Sequence, residues 1–218
     1  MRDFAAAIFD LDGTLLDSMH VWEKIDLDFL ARRGIAVPDD YARAVGALSF
    51  QQVARYTIDR FSLAETEAEI MREWREMARH EYANDIGLKP HARAYLTALK
   101  KSGVKLATAT SLHRDLAEPV LRNNGIFEWF DAHCSTDEVG RGKEFPDVFL
   151  LAAERLNVPP DACVVFEDIL PAARSAKRAG MRVYCVQDDA SLADEEALKK
   201  ISDGYILDFR GAPLPAPR

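Results

Sequence analysis

The chain has 218 residues, of which 48% are hydrophobic and 29% charged, with a formal net charge of −8. That is enough apolar material for one substantial core plus an inserted subdomain, and it excludes extensive disorder. The acidic balance excludes a broad nucleic-acid or anionic-membrane surface, since both rely on concentrated Lys and Arg. The longest apolar run, Val148 to Ala153, is too short to span a bilayer, and the N-terminus has no signal-peptide core, so a cytoplasmic location is expected; separately, a monomer is expected. Cys134, Cys163 and Cys185 are widely spaced beside apolar runs and are expected as buried free thiols. The histidines do not fall at metal-ligand spacing, so no structural zinc site is expected.

Ala5 to Phe9 is a continuous apolar run, the pattern of a parallel strand covered on both faces. It delivers Asp10 and Asp12 to a turn at Gly13, which can bend the chain and bring both carboxylates to one rim. From there to Val104 no second strand is evident, far beyond a normal crossover, so this stretch must contain an insertion, roughly Leu16 to Asp85 (residues 16–85), with the core at 1–15 and 86–218. Inside it, Trp22, Ile25 and Phe29 recur at helical spacing up to Gly34 and Pro38, and Ser49 to Phe61 makes a second helix. Ser62 with Glu65 reads as a capping box for a third, whose Ile70, Trp74, Met77 and Ala78 share a face expected to serve packing.

Beyond Pro90 the pattern alternates. A helix to Gly103 precedes a strand over Val104 to Ala109, and His113 to Asn124 is a helix closed by Gly125. Ala132 to Ser135 is a short strand, followed by a helix over Pro146 to Asn157 with Phe149, Leu150, Ala153 and Leu156 inward. Strands over Ala162 to Phe166 and Arg182 to Val186 flank a helix over Pro171 to Ala179; Leu192 to Ile201 reads as a helix, and Tyr205 to Leu207 as an edge strand. The alternation predicts an α/β fold, a doubly wound, Rossmann-like parallel sheet with an inserted all-helical subdomain. The proline-rich tail GAPLPAPR reads as a mobile end.

In such a sheet, ligands bind outside the carboxyl ends of the strands. The first strand ends in Asp10 and Asp12, the second in Thr110 and Ser111, the fourth in Glu167 and Asp168, and Lys143 lies in a loop after the third. If these ends converge, four carboxylates face one lysine, a repulsion that requires a further cation, and oxygen ligands favour Mg²⁺. An ionised aspartate beside a metal and a lysine suits phosphoryl transfer: aspartate needs no base to act as nucleophile, and a second carboxylate away from the metal can move the proton.

The four segments resemble, in order, the motifs of the haloacid dehalogenase superfamily: DLDGT at 10–14, Thr110 after LATA, Lys143 in GRGKEFPD, and Glu167-Asp168 in VVFED. The resemblance runs over nearly the whole chain, ARSAKRAGM included. It implies Asp10 as nucleophile, Asp12 as acid and base, and Thr110 and Lys143 as holders of the phosphoryl oxygens. It also implies Mg²⁺ held by Asp10 and Asp168, with the Asp12 carbonyl and Glu167 assisting, and a helical cap in the insertion. A carboxylate at Asp12 separates the chain from dehalogenase-like and phosphonatase-like branches and places it nearest sugar-phosphate phosphatases and beta-phosphoglucomutase. The mutase's cap histidine corresponds here to Trp22, with His20 two residues early, which favours hydrolysis of a small phosphorylated metabolite over a phosphosugar mutase; a non-enzymatic phospho-aspartate switch is the remaining alternative. The chain departs from the family at Ile169 and Ala172, where Ser and Gly are usual, and at Glu144-Phe145 after the lysine. His113, Arg114 and the stretch Gly46 to Gln51 are further candidates for substrate contact.

Overall fold

The computed structural model describes residues 4–46 and 48–215. Six strands, β1 (Ala6–Phe9), β2 (Lys105–Thr110), β3 (Ala132–Ser135), β4 (Cys163–Glu167), β5 (Arg182–Val186) and β6 (Gly204–Ile206), form one sheet in the order β3-β2-β1-β4-β5-β6. Every adjacent pair is parallel. All four β1 residues are buried, because β1 is central and covered on both faces. On one face Phe9 stacks on Phe166 at 4.8 Å within a cluster that includes Tyr95, Phe130 and Phe209; on the other, Ile8 packs in a cluster with Phe149, Leu156 and Val165. The strand order reverses beside β1, so the crevice at its carboxyl end is the switch point where doubly wound sheets bind ligands.

Among the described residues five helices lie between β1 and β2, the first four being α1 (Met19–Ala31), α2 (Tyr41–Val45), α3 (Phe50–Phe61) and α4 (Glu67–Asn84). The outgoing and returning chain segments pair, Asp17 N–H with Gly87 C=O at 3.0 Å and Lys89 N–H with Leu15 C=O at 2.9 Å. Trp74 of α4 packs against Phe29 at 5.2 Å and Phe50 at 5.7 Å, the core stripe that the spacing predicts. The other helices are α5 (Ala92–Lys101), α6 (Arg114–Asn123), α7 (Thr136–Val139), α8 (Asp147–Leu156), α9 (Leu170–Arg178) and α10 (Glu195–Ile201). The three cysteines are buried and free, and among the described residues no helix is long and apolar enough to cross a membrane.

Several details differ from the sequence reading. The capping box of α4 is Thr66 with Glu69, while Ser62 closes α3 in the left-handed conformation at φ 52°. Both tetrads match the same pattern, but an N-cap needs the extended backbone that Thr66 has at ψ 157°. Leu150 is 40% exposed, because the buried stripe of α8 is Phe149, Ala152, Ala153 and Leu156, and Leu150 sits a hundred degrees round from it. The expected Leu192–Ile201 helix divides into a 3₁₀ segment over Asp189–Asp194 and α10. The tail is docked where it is described: Pro213 is buried and its carbonyl accepts from Tyr95 Oη at 2.7 Å. Residues 216–218 of the tail, and Ala47 within the Gly46–Gln51 stretch, lie outside the described residues.

Candidate active site

Register sets the site. Phe9 is level with Phe166 and Thr108, and the Asp10 N–H still bonds the Phe166 carbonyl at 3.1 Å, so Asp10 emerges beside Glu167. Gly13 then turns the chain at φ +76°, and its missing side chain leaves room for Asp168, whose Oδ2 would lie 2.5 Å from a Cβ there. Thr14 Oγ1 donates to Asp168 Oδ1 at 2.8 Å and fixes that carboxylate.

Asp10, Glu167 and Asp168 are all buried and present oxygens within 4.8 Å of one another. Lys143, 2% exposed, donates to Asp10 and to Glu167 Oε1, the latter at 2.5 Å. Ser175 of α9, in the ARSAKRAGM stretch, donates to the Lys143 carbonyl at 2.5 Å and anchors that loop. Burial would push the Lys143 ammonium down, but Asp10 and Glu167 overcome it and hold it above its usual value. Glu167 is pushed up to about 7 by burial, against the pull of Lys143. Asp168 is raised well above the carboxylate range by burial and then by Glu167 and Asp10. Three buried oxygen donors with one lysine between them form a site deficient in positive charge, and a hard divalent cation fits that donor set.

Asp12 is kept separate. Its Oδ1 accepts from Ser18 Oγ at 2.6 Å and Tyr82 Oη at 2.5 Å, and its Oδ2 from Trp22 Nε1 at 3.3 Å. Burial raises its carboxyl to about 6, with the Ser18 and Tyr82 hydrogen bonds pulling the other way. Thr110 is 3% exposed at the end of β2 and accepts from the Leu112 N–H at 3.0 Å. A cavity of about 170 Å³ opens over Asp10, Asp12, Thr110, Lys143 and Asp168 and is roofed by side chains of α1 to α4. Of the Gly46–Gln51 stretch, Gly46, Leu48 and Phe50 line it. His113 and Arg114 do not: His113 caps α6, its Nδ1 accepting from the Asp115 N–H at 3.2 Å, and Arg114 pairs with Glu118 at 3.3 Å.

Residues 4–180 match the family model of haloacid dehalogenase-like hydrolases. The chain belongs to that family. This hydrolase is 29% identical to a phosphorylated carbohydrates phosphatase of Thermotoga maritima, across 88% of this chain and 89% of that one. It is 31% identical to hexitol phosphatase A of Escherichia coli, across 84% and 83% respectively. The crystal structure of CbbY from Rhodobacter sphaeroides in complex with phosphate superposes with a TM-score of 0.83 at 26% identity, covering 95% of this chain and 96% of that one. Sequence reasoning about the hydrolase missed Ser18, Tyr82 and Thr14. Ser18 and Thr14 sit inside the first motif's turn, where a hydroxyl beside carboxylates was the available signal; Tyr82 lies 70 residues from Asp12 and carried none.

Proposed function

We propose that the chain is a Mg²⁺-dependent phosphatase of small phosphorylated metabolites such as sugar phosphates, working through an aspartyl-phosphate on Asp10. The observation that carries this reading is the separation of the two aspartates: Asp10 joins the carboxylate cluster and Lys143, while Asp12 is held by Ser18, Tyr82 and Trp22. An Asp10 oxygen attacks phosphorus and the ester P–O bond breaks, its leaving oxygen taking the proton of Asp12. Asp12 then takes a proton from water, whose oxygen attacks phosphorus, breaking the bond to Asp10 and releasing inorganic phosphate. A carboxyl raised to about 6 suits both roles near neutral pH. Thr110 and Lys143 hold the phosphoryl oxygens. Asp10 and Asp168, assisted by Glu167 and the Asp12 carbonyl, hold Mg²⁺, which supplies charge neutralisation.

Residues 16–85 serve as the cap over a core of 1–15 and 86–218, its roof excluding water during the transfer. Relatives named as phosphatases of carbohydrates and hexitols support the substrate class. Mutase chemistry is disfavoured by Trp22 on Asp12 and by the exposure of His20. With Mg²⁺ and a panel of phosphate esters, free phosphate is expected to accumulate and Asp10→Asn to abolish it. Undiminished release by Asp10→Asn, or isomerised sugar phosphate without free phosphate, would overturn the assignment.

A further inference from the structure

The cavity over Asp10 is lined by Asp10, Asp12, Glu23, Asp26 and Asp168, and among its described lining residues Lys143 is the one basic group. That lysine already bonds Asp10 and Glu167, so it can serve one phosphoryl group and leaves nothing for a second anion. Glu23 and Asp26 line the cavity from α1, on the side of the roof, and neither has a hydrogen bond or ion pair among the described residues. Trp74, 2% exposed, lines the same cavity, and its Nε1–H has no acceptor. On the core side the buried Ser111 Oγ is likewise without a partner.

The roof therefore offers two carboxylates without a donor among the described residues and one buried indole N–H without an acceptor. An aliphatic hydroxyl satisfies both kinds of group, and a second phosphate or a carboxylate satisfies only the indole while facing Glu23 and, once the pH passes about 7, an ionised Asp26 as well. Trp22 and Phe50, with ring centroids 6.1 Å apart, supply an aromatic wall suited to the C–H face of a carbohydrate. We propose that the substrate is a monophosphate of an uncharged polyhydroxy compound, and that Glu23 and Asp26 reject esters bearing a second anion. The proposal rests on the phosphatase reading above and adds the charge of the leaving group to it.

Matched pairs test it: glucose 6-phosphate against 6-phosphogluconate, and fructose 6-phosphate against fructose 1,6-bisphosphate, with p-nitrophenyl phosphate as a reference for turnover. At about pH 8, where Asp26 is ionised, the member of each pair with the uncharged leaving group is expected to have a kcat/KM at least about tenfold higher, the scale of a like-charge penalty in a cleft. Glu23→Gln with Asp26→Asn should narrow that ratio, and Glu23→Gln alone, at an exposed position, should narrow it partly. Equal values within the pairs, a preference for the anionic member, turnover of p-nitrophenyl phosphate alone, or a ratio that neither variant moves would overturn the proposal while leaving the phosphatase standing. Absence of turnover with every ester and Mg²⁺ would remove the phosphatase reading and the proposal with it.

Discussion

At Gly13, conformation and space make the same demand. The residue sits at φ +76°, and the atoms of a side chain there would meet Asp168 Oδ2 at 2.5 Å and Met19 Cγ at 3.3 Å. An L-residue in that region costs about 1–2 kcal/mol before any clash is counted. Asp168 cannot simply move aside, because Thr14 holds it and it lies against Asp10 and Glu167. Gly13→Ala is therefore expected to lower urea stability by at least about that amount and, by displacing a carboxylate of the site, to slow phosphate release about 100-fold. Urea titration and a phosphate-release assay check the two effects separately; a folded variant with unchanged turnover would show that the turn does not set the Asp168 position. The chemical residues at this turn were legible because Asp10, Asp12 and Gly13 are adjacent and their types are restrictive. Their hydrogen-bond partners were not, because Tyr82 and Trp22 meet Asp12 only once α1 and α4 have packed.

The same contrast recurs in the elements. The apolar stripes of α3 and α4 showed where helices run, since burial of one face imposes a helical period. Their ends were ambiguous, because Ser62-Leu-Ala-Glu65 and Thr66-Glu-Ala-Glu69 carry the same capping signature. Only the backbone separates them: Ser62 completes α3, its N–H bonding the Ile58 carbonyl, and Thr66 is the first residue free to extend. Thr66 Oγ1 accepts from the Glu69 N–H at 3.4 Å, and Glu69 Oε2 accepts from the Thr66 N–H at 2.8 Å. Thr66→Ala is expected to cost about 1 kcal/mol in urea unfolding, whereas Ser62→Gly should cost nothing, because glycine adopts the left-handed conformation freely. A loss of stability at Ser62 and none at Thr66 would restore the earlier boundary. The parallel sheet was legible from strand and helix alternation, but its order was not, since alternation carries no information on which side of β1 each return lands.

Across the whole molecule, the sheet crevice gathers carboxylates and the helical roof adds Asp26, which makes folding depend on pH. Burial, then the charge of Glu23, raises the Asp26 carboxyl from 3.8 to about 7. Glu23 faces it from its own helix and Tyr41 from α2, and among the described residues no cation offsets the charge. The folded state therefore binds a proton that the unfolded chain has released between these two values. The contribution of Asp26 to stability is fully present below about pH 4 and is lost as pH rises through about 7. Glu167 and Asp168 are raised as well, so wild-type stability alone would not isolate this group. Asp26→Asn does, because the site carboxylates titrate in both proteins and cancel in the difference. The variant's urea midpoint relative to wild type is expected to rise between pH 5 and pH 8, most steeply in the lower part of that range, between the two values, and to level off above the raised one. A difference independent of pH would mean that Asp26 is ionised in the folded protein throughout, and that the roof of the cavity carries its full negative charge even at mildly acidic pH.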